Sequence, residues 1–113
     1  MEIISSLFNQ TKMVNLRHVV LLSFFDVCTP EQVKKIVEAF VQLKNKIKGI
    51  KELEWGVNNS PELANKFYTH AFFLTFHSEG DRNEYITDPA HLGFKDAYGK
   101  YLSQLLVIDY WAS

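Results

Sequence analysis

Three residues in the last third of the chain are of types that can do acid–base chemistry together: Tyr85, His91 and Asp109. Asp109 lies inside the apolar run LLVIDYW (105–111), where an unpaired carboxylate would cost several kcal/mol, so the position calls for a partner. His91 is the expected partner. It lies in YITDPAHLGF (85–94), where Asp88 and Pro89 mark a helix start and make it the third helical residue, on a helix that runs back along the last strand. The positive end of the helix dipole favours the neutral imidazole there, and a carboxylate on one ring nitrogen would leave the other as an acceptor. Tyr85, one turn earlier, offers a phenolic O–H to a substrate carbonyl or carboxylate. The plainer alternative stays open: His91 merely begins a helix, and the strand end around Asp109 is solvated.

The surrounding pattern supplies the elements that must hold such a site. RHVVLLSFFD (17–26) is β-rich and apolar on both alternating sets, as a strand buried on both faces would be. Thr29-Pro30-Glu31-Gln32 combines an N-cap hydroxyl, proline at the first helical position and Gln three residues after the cap. The helix it predicts carries Val33, Ile36, Val37, Phe40, Val41, Leu43 and Ile47 on one face and ends near Gly49. KELEWGVN (51–58) alternates as an edge strand does, NNSPELANK (58–66) is a loop, and FYTHAFFLTFH (67–77) is a third strand. After a short helix over 80–87, a second helical stripe of Leu92, Ala97, Tyr98, Tyr101, Leu102 and Leu105 leads into the fourth strand, 105–111.

The order is β-α-β-β-α-β, an α+β, ferredoxin-like arrangement with a four-stranded antiparallel sheet and helices on one face. Strands 1, 3 and 4 are apolar on both faces, so the helix-free side is a sheet-sized apolar surface that calls for a partner. A second copy stacking sheet on sheet, giving a dimeric α/β barrel, is the simplest one.

Composition narrows the function further. With 113 residues, 47% of them hydrophobic, and a net charge of -1, the chain has the size for one core and no basic footprint for nucleic acid or an acidic membrane. The lone Cys28 excludes an internal disulfide and suggests a reducing compartment, the cytoplasm. Residues 1–13 read as an N-terminal extension to a 14–113 domain, without the basic n-region of a signal peptide, and Met13 is a candidate alternative start. His18, on one strand face with Val20 and Leu22, reads as a core histidine able to donate one hydrogen bond at a pocket mouth. His70 belongs toward the opposite end of the sheet, so no metal site is expected. No cofactor-binding loop is present in the sequence.

Three stretches, LRHVVLLSF, YTHAFFLTF and YITDPAHLGFKDAY followed by LLVIDY, together resemble the stress-responsive dimeric α/β-barrel (Dabb) family over Leu16 to Trp111. That family includes plant polyketide cyclases that close a linear polyketide by aldol condensation without a cofactor. The resemblance implies a catalytic histidine at His91, a catalytic tyrosine at Tyr85, an orienting aspartate at Asp109 and a pocket histidine at His18. It also implies an apolar lining of Val20, Leu22, Phe72, Leu74, Ile86, Leu92 and Phe94, with Phe40 where the cyclase has a second pocket tyrosine. Such a cyclase would use His91 as base on a carbon next to a carbonyl while Tyr85 holds the oxygen on which charge develops. Three expectations follow: a homodimer binding a small organic or aromatic acid, with a stress-related or unassigned role; a cyclase-like lyase; or a monooxygenase-like relative.

Overall fold

The computed structural model describes residues 14–62 and 67–113, so the N-terminal extension and Met13 lie outside the described residues. β1 (Leu16–Phe24) is followed by α1 (Pro30–Val41), a short α2 (Leu43–Lys46), β2 (Glu52–Val57) and β3 (His70–Phe76). Then come α3 (Glu79–Thr87), α4 (Pro89–Tyr98), a 3-10 turn (Gly99–Tyr101) and β4 (Leu102–Trp111). The strands form one antiparallel sheet in the order β2-β3-β1-β4, which puts β2 at one edge and β4 at the other. This is the expected ferredoxin-like α+β fold.

Local chemistry explains where α1 begins. The Thr29 hydroxyl accepts from the Gln32 backbone N–H at 3.1 Å, and the Gln32 side chain accepts from the Thr29 N–H at 2.8 Å, so two otherwise unpaired donors are satisfied reciprocally. The helix is not continuous to Gly49: it breaks at Gln42 and resumes for one turn before Ile47 becomes extended. Its apolar stripe nevertheless buries Ile36, Val37, Phe40, Leu43 and Ile47 as the spacing predicts.

Those side chains pack on one face of the sheet, against His18, Val20 and Leu22 of β1 and Phe72, Leu74 and Phe76 of β3. Tyr85 from α3 and Phe94 from α4 complete the core. The opposite face carries Val19 paired with Phe73 and Ile108, and Leu21 paired with Ala71 and Leu106. No helix covers it.

Another boundary also differs from the sequence reading. Tyr101 is in the 3-10 turn, and Leu102 and Leu105 are in β4 rather than on a helical stripe, because pairing with β1 starts at Phe24 and Leu102. Residues three apart fit a helix turn, but the ladder to β1 gives this backbone its hydrogen bonds. As a result Leu105, Val107 and Asp109 share the helix-side face of β4 with Trp111.

Candidate active site

His91 sits at the third position of α4, behind Pro89 and an Asp88 cap whose carboxylate accepts from the Ala90 N–H at 2.8 Å. Its Nδ1 lies 3.1 Å from the Ile86 carbonyl. A carbonyl can only accept, so Nδ1 carries the proton and the neutral ring keeps Nε2 as an acceptor. Burial pushes the imidazole below the usual histidine value, with the Ile86 carbonyl and Asp88 pulling the other way and Lys95 and His18 adding to the lowering. At neutral pH this is an oriented, uncharged base.

The expected pairing of His91 with Asp109 is not what the fold makes. Asp109 faces His18 across the β1–β4 ladder, and its Oδ1 lies 2.7 Å from His18 Nδ1. The other oxygen, Oδ2, accepts from Arg82 Nη1 at 2.6 Å. The reason is register: His18 and Asp109 are directly opposite on one sheet face, whereas the acceptor within reach of His91 is on the backbone turn just before its own helix. Asp109 thus orients His18, and Arg82 on α3 completes a carboxylate satisfied on both oxygens.

Tyr85 joins the two imidazoles. Its ring stacks on His91 with centroids 4.3 Å apart and meets His18 edge-on at 5.4 Å. The residue is only 1% exposed, and burial followed by the Asp109 charge pushes the phenol far above its ordinary value. The hydroxyl therefore stays protonated and acts as a donor.

These groups border a cavity of about 260 Å³ between the helices and the sheet. Of the predicted set, His18, Val20, Leu22, Phe40, Tyr85, Ile86, His91 and Phe94 line it. Asp109 does not line it and acts from behind His18. Phe72 and Leu74 are sealed in the core, with Phe72 stacked beneath Phe40 at 4.2 Å, and Leu92 points out, 44% exposed. Sequence reasoning missed Lys95, Leu102, Leu105 and Val107. Lys95 was detectable as the residue four after His91, on the same helical face. Arg82, missed as well, stands three before Tyr85.

Elsewhere, His18 pairs with Leu74 and His70 with Leu22, four positions along the sheet and about 13 Å apart at strand rise. Among the described residues no group of three or more His, Cys, Asp or Glu is placed to hold a metal ion, and no helix is long and apolar enough to cross a membrane. The Cys28 sulfur lies 3.8 Å from the Tyr101 carbonyl.

Residues 16–112 match the stress responsive A/B barrel domain, and the chain belongs to that family. It is 38% identical over 94 residues to the stress-response A/B barrel domain-containing protein HS1 of Arabidopsis thaliana, covering 83% of this chain and 86% of the relative. It is 34% identical, over 83% of this chain and 93% of the other, to olivetolic acid cyclase of Cannabis sativa. The crystal structure of At3g17210 from Arabidopsis thaliana superimposes with a TM-score of 0.83 at 37% identity, covering 87% of this chain and 95% of that one. Several more distant neighbours with the same fold are described as dimeric ferredoxin-like proteins.

Proposed function

We propose that the protein is a homodimer that binds a small aromatic or other organic acid in the helix–sheet cavity. One observation carries the reading: the cavity wall is mostly apolar, its other lining residues are Lys95, His18, His91 and Tyr85, and no Asp or Glu is among them. Lys95 has no ion pair among the described residues, so a ligand carboxylate would be its first counter-charge. A volume near 260 Å³ suits a single substituted ring. The apolar outer sheet face and the dimeric fold neighbours support a second copy stacked there, with a stress-related role in keeping with the family.

Salicylate, a monocyclic aromatic carboxylate, tests this by NMR titration. The expected result is saturable binding that weakens about tenfold or more in Lys95→Met, as loss of a charge-assisted contact implies. Shifts confined to residues outside the cavity, or a Lys95→Met variant that binds as the wild type does, would defeat it.

A second reading has its own observation. His91 Nε2 is a neutral acceptor beside the Tyr85 donor, the arrangement needed to take a proton from carbon while holding the adjacent carbonyl oxygen. The likeness to olivetolic acid cyclase supports cofactor-free, lyase-type chemistry of this kind. Phe40 leaves one wall without a hydroxyl, which favours a less oxygenated substrate there. Deuterium exchange of the acetophenone methyl protons is expected to be accelerated by the wild type, abolished by His91→Ala and reduced by Tyr85→Phe. Equal rates in all three proteins would remove the catalytic reading.

A further inference from the structure

β4 is exposed in a way that sheet-on-sheet stacking does not resolve. On the outer face Leu106, Ile108 and Tyr110 are exposed, and they continue the apolar surface of Val19, Leu21 and Phe73. On the helix side Leu105 and Val107 are 56% and 43% exposed, although both form part of the cavity wall. The strand is ten residues long, is paired among the described residues only through β1, and carries Asp109 as its single charged side chain. A long apolar edge with both faces open is a template for another chain. The cavity is therefore walled on its β4 flank by residues that solvent still reaches.

We propose that the second copy engages β4 on its edge and both faces, and that this contact supplies the missing outer wall of the cavity. The proposal rests on the reading that a second copy covers the sheet, and extends it: the partner is part of the binding site. The occupant is another copy of this chain because the open strand is continuous with the outer face it would cover. Its two-fold symmetry also gives each subunit the same uncovered β4 to bury. Closure and association are then thermodynamically linked. A ligand bound tenfold better by each closed cavity tightens the dimer about a hundredfold when both sites fill, since coupling is reciprocal.

Thiol labelling tests the wall without any ligand. Cys28→Ser removes the native thiol, and Leu105→Cys or Val107→Cys then places one on the cavity flank. Labelling by 5,5′-dithiobis(2-nitrobenzoate) is followed while the protein is diluted through its dimer dissociation, measured by sedimentation. The expected result is labelling at least tenfold slower in the dimer than in the monomer at both positions. Equal rates at all concentrations, protection at neither position, or a chain that stays monomeric at every concentration would overturn the proposal. Salicylate in the same series separates the two ideas. A dimer that protects both thiols yet ignores salicylate upholds the wall and defeats the small-acid reading. Salicylate binding with concentration-independent labelling upholds that reading and defeats the wall.

Discussion

Asp109→Asn tests the carboxylate at the centre of the candidate site. In the native protein two donors converge on it, His18 Nδ1 at 2.7 Å and Arg82 Nη1 at 2.6 Å, one on each oxygen. An asparagine has a single acceptor oxygen and no charge, so one charge-assisted contact is lost: its NH2 faces either Arg82, a donor–donor conflict, or His18, whose Nδ1 must then give up its proton to accept. Hydrogen bonds to charged groups contribute about 1.5–3 kcal/mol each. The Asp109 and Arg82 side chains keep 23% and 18% of their exposure, so water replaces part of the loss and about 2–4 kcal/mol is expected. For a chain this size that lowers the thermal midpoint by roughly 8–16 °C, read by circular dichroism at fixed protein concentration because the reading is of a dimer. Adding Arg82→Met to complete a double-mutant cycle should return a coupling of about 1–3 kcal/mol. A change within about 0.5 kcal/mol for Asp109→Asn, with no coupling, would refute the reasoning and make the carboxylate a solvated strand end.

Two further outcomes follow from burial. Leu74→Ala, at a residue with no exposure, should cost about 2–5 kcal/mol in urea unfolding, whereas Leu92→Ala, outside the cavity and 44% exposed, should stay within about 0.5 kcal/mol and leave salicylate affinity unchanged. Burial lowers the pKa of His91 and His70 in the folded state, so at acid pH the unfolded chain binds more protons and stability falls as pH drops from the free-histidine value of about 6.5 through the lower folded values. The unfolding free energy measured from pH 7 to 5 should therefore decline, and His91→Gln should flatten the decline; an unchanged slope in that variant would count against a buried neutral imidazole.

The order of elements and the local signals at their ends can be read from the sequence. Thr29 and Gln32 announce their reciprocal cap because a capping box spans only three residues, and Asp88-Pro89 announces α4 for the same reason. The core stripe from Ile36 to Ile47 survives even though the helix breaks at Gln42, since burial follows spacing more than hydrogen-bond continuity. Asp109 is recognisable as a residue in need of a partner, yet the helix that runs back along the last strand does not bring His91 to it. His18 is 91 residues away and becomes its neighbour only through the β1–β4 pairing. The ferredoxin-like order already implies that adjacency, so strand-to-strand facing is a better guide than the path of the helix. The resemblance implies Phe72 and Leu74 in the lining, yet both are sealed in the layer behind it, which apolar type alone does not distinguish from a cavity wall.

The end of α4 shows why the cavity exists. A helix carried on to Leu105, as the apolar spacing allows, would lie over the helix-side face of β4 and fill the space beside Phe94. Gly99 does not force the stop by steric need: its backbone angles of -55° and -34° are helical, and a Cβ there would meet nothing within 4 Å. The ladder from Phe24 and Leu102 onward supplies the competing hydrogen bonds, and the chain turns through Gly99–Tyr101 into strand. That early stop leaves Leu102, Leu105 and Val107 facing a void roofed by His91, Phe94 and Lys95. The uncovered flank of β4 and the cavity are thus one consequence of strand pairing winning over helix propagation, which is why the surface that calls for a second copy borders the residues able to do chemistry.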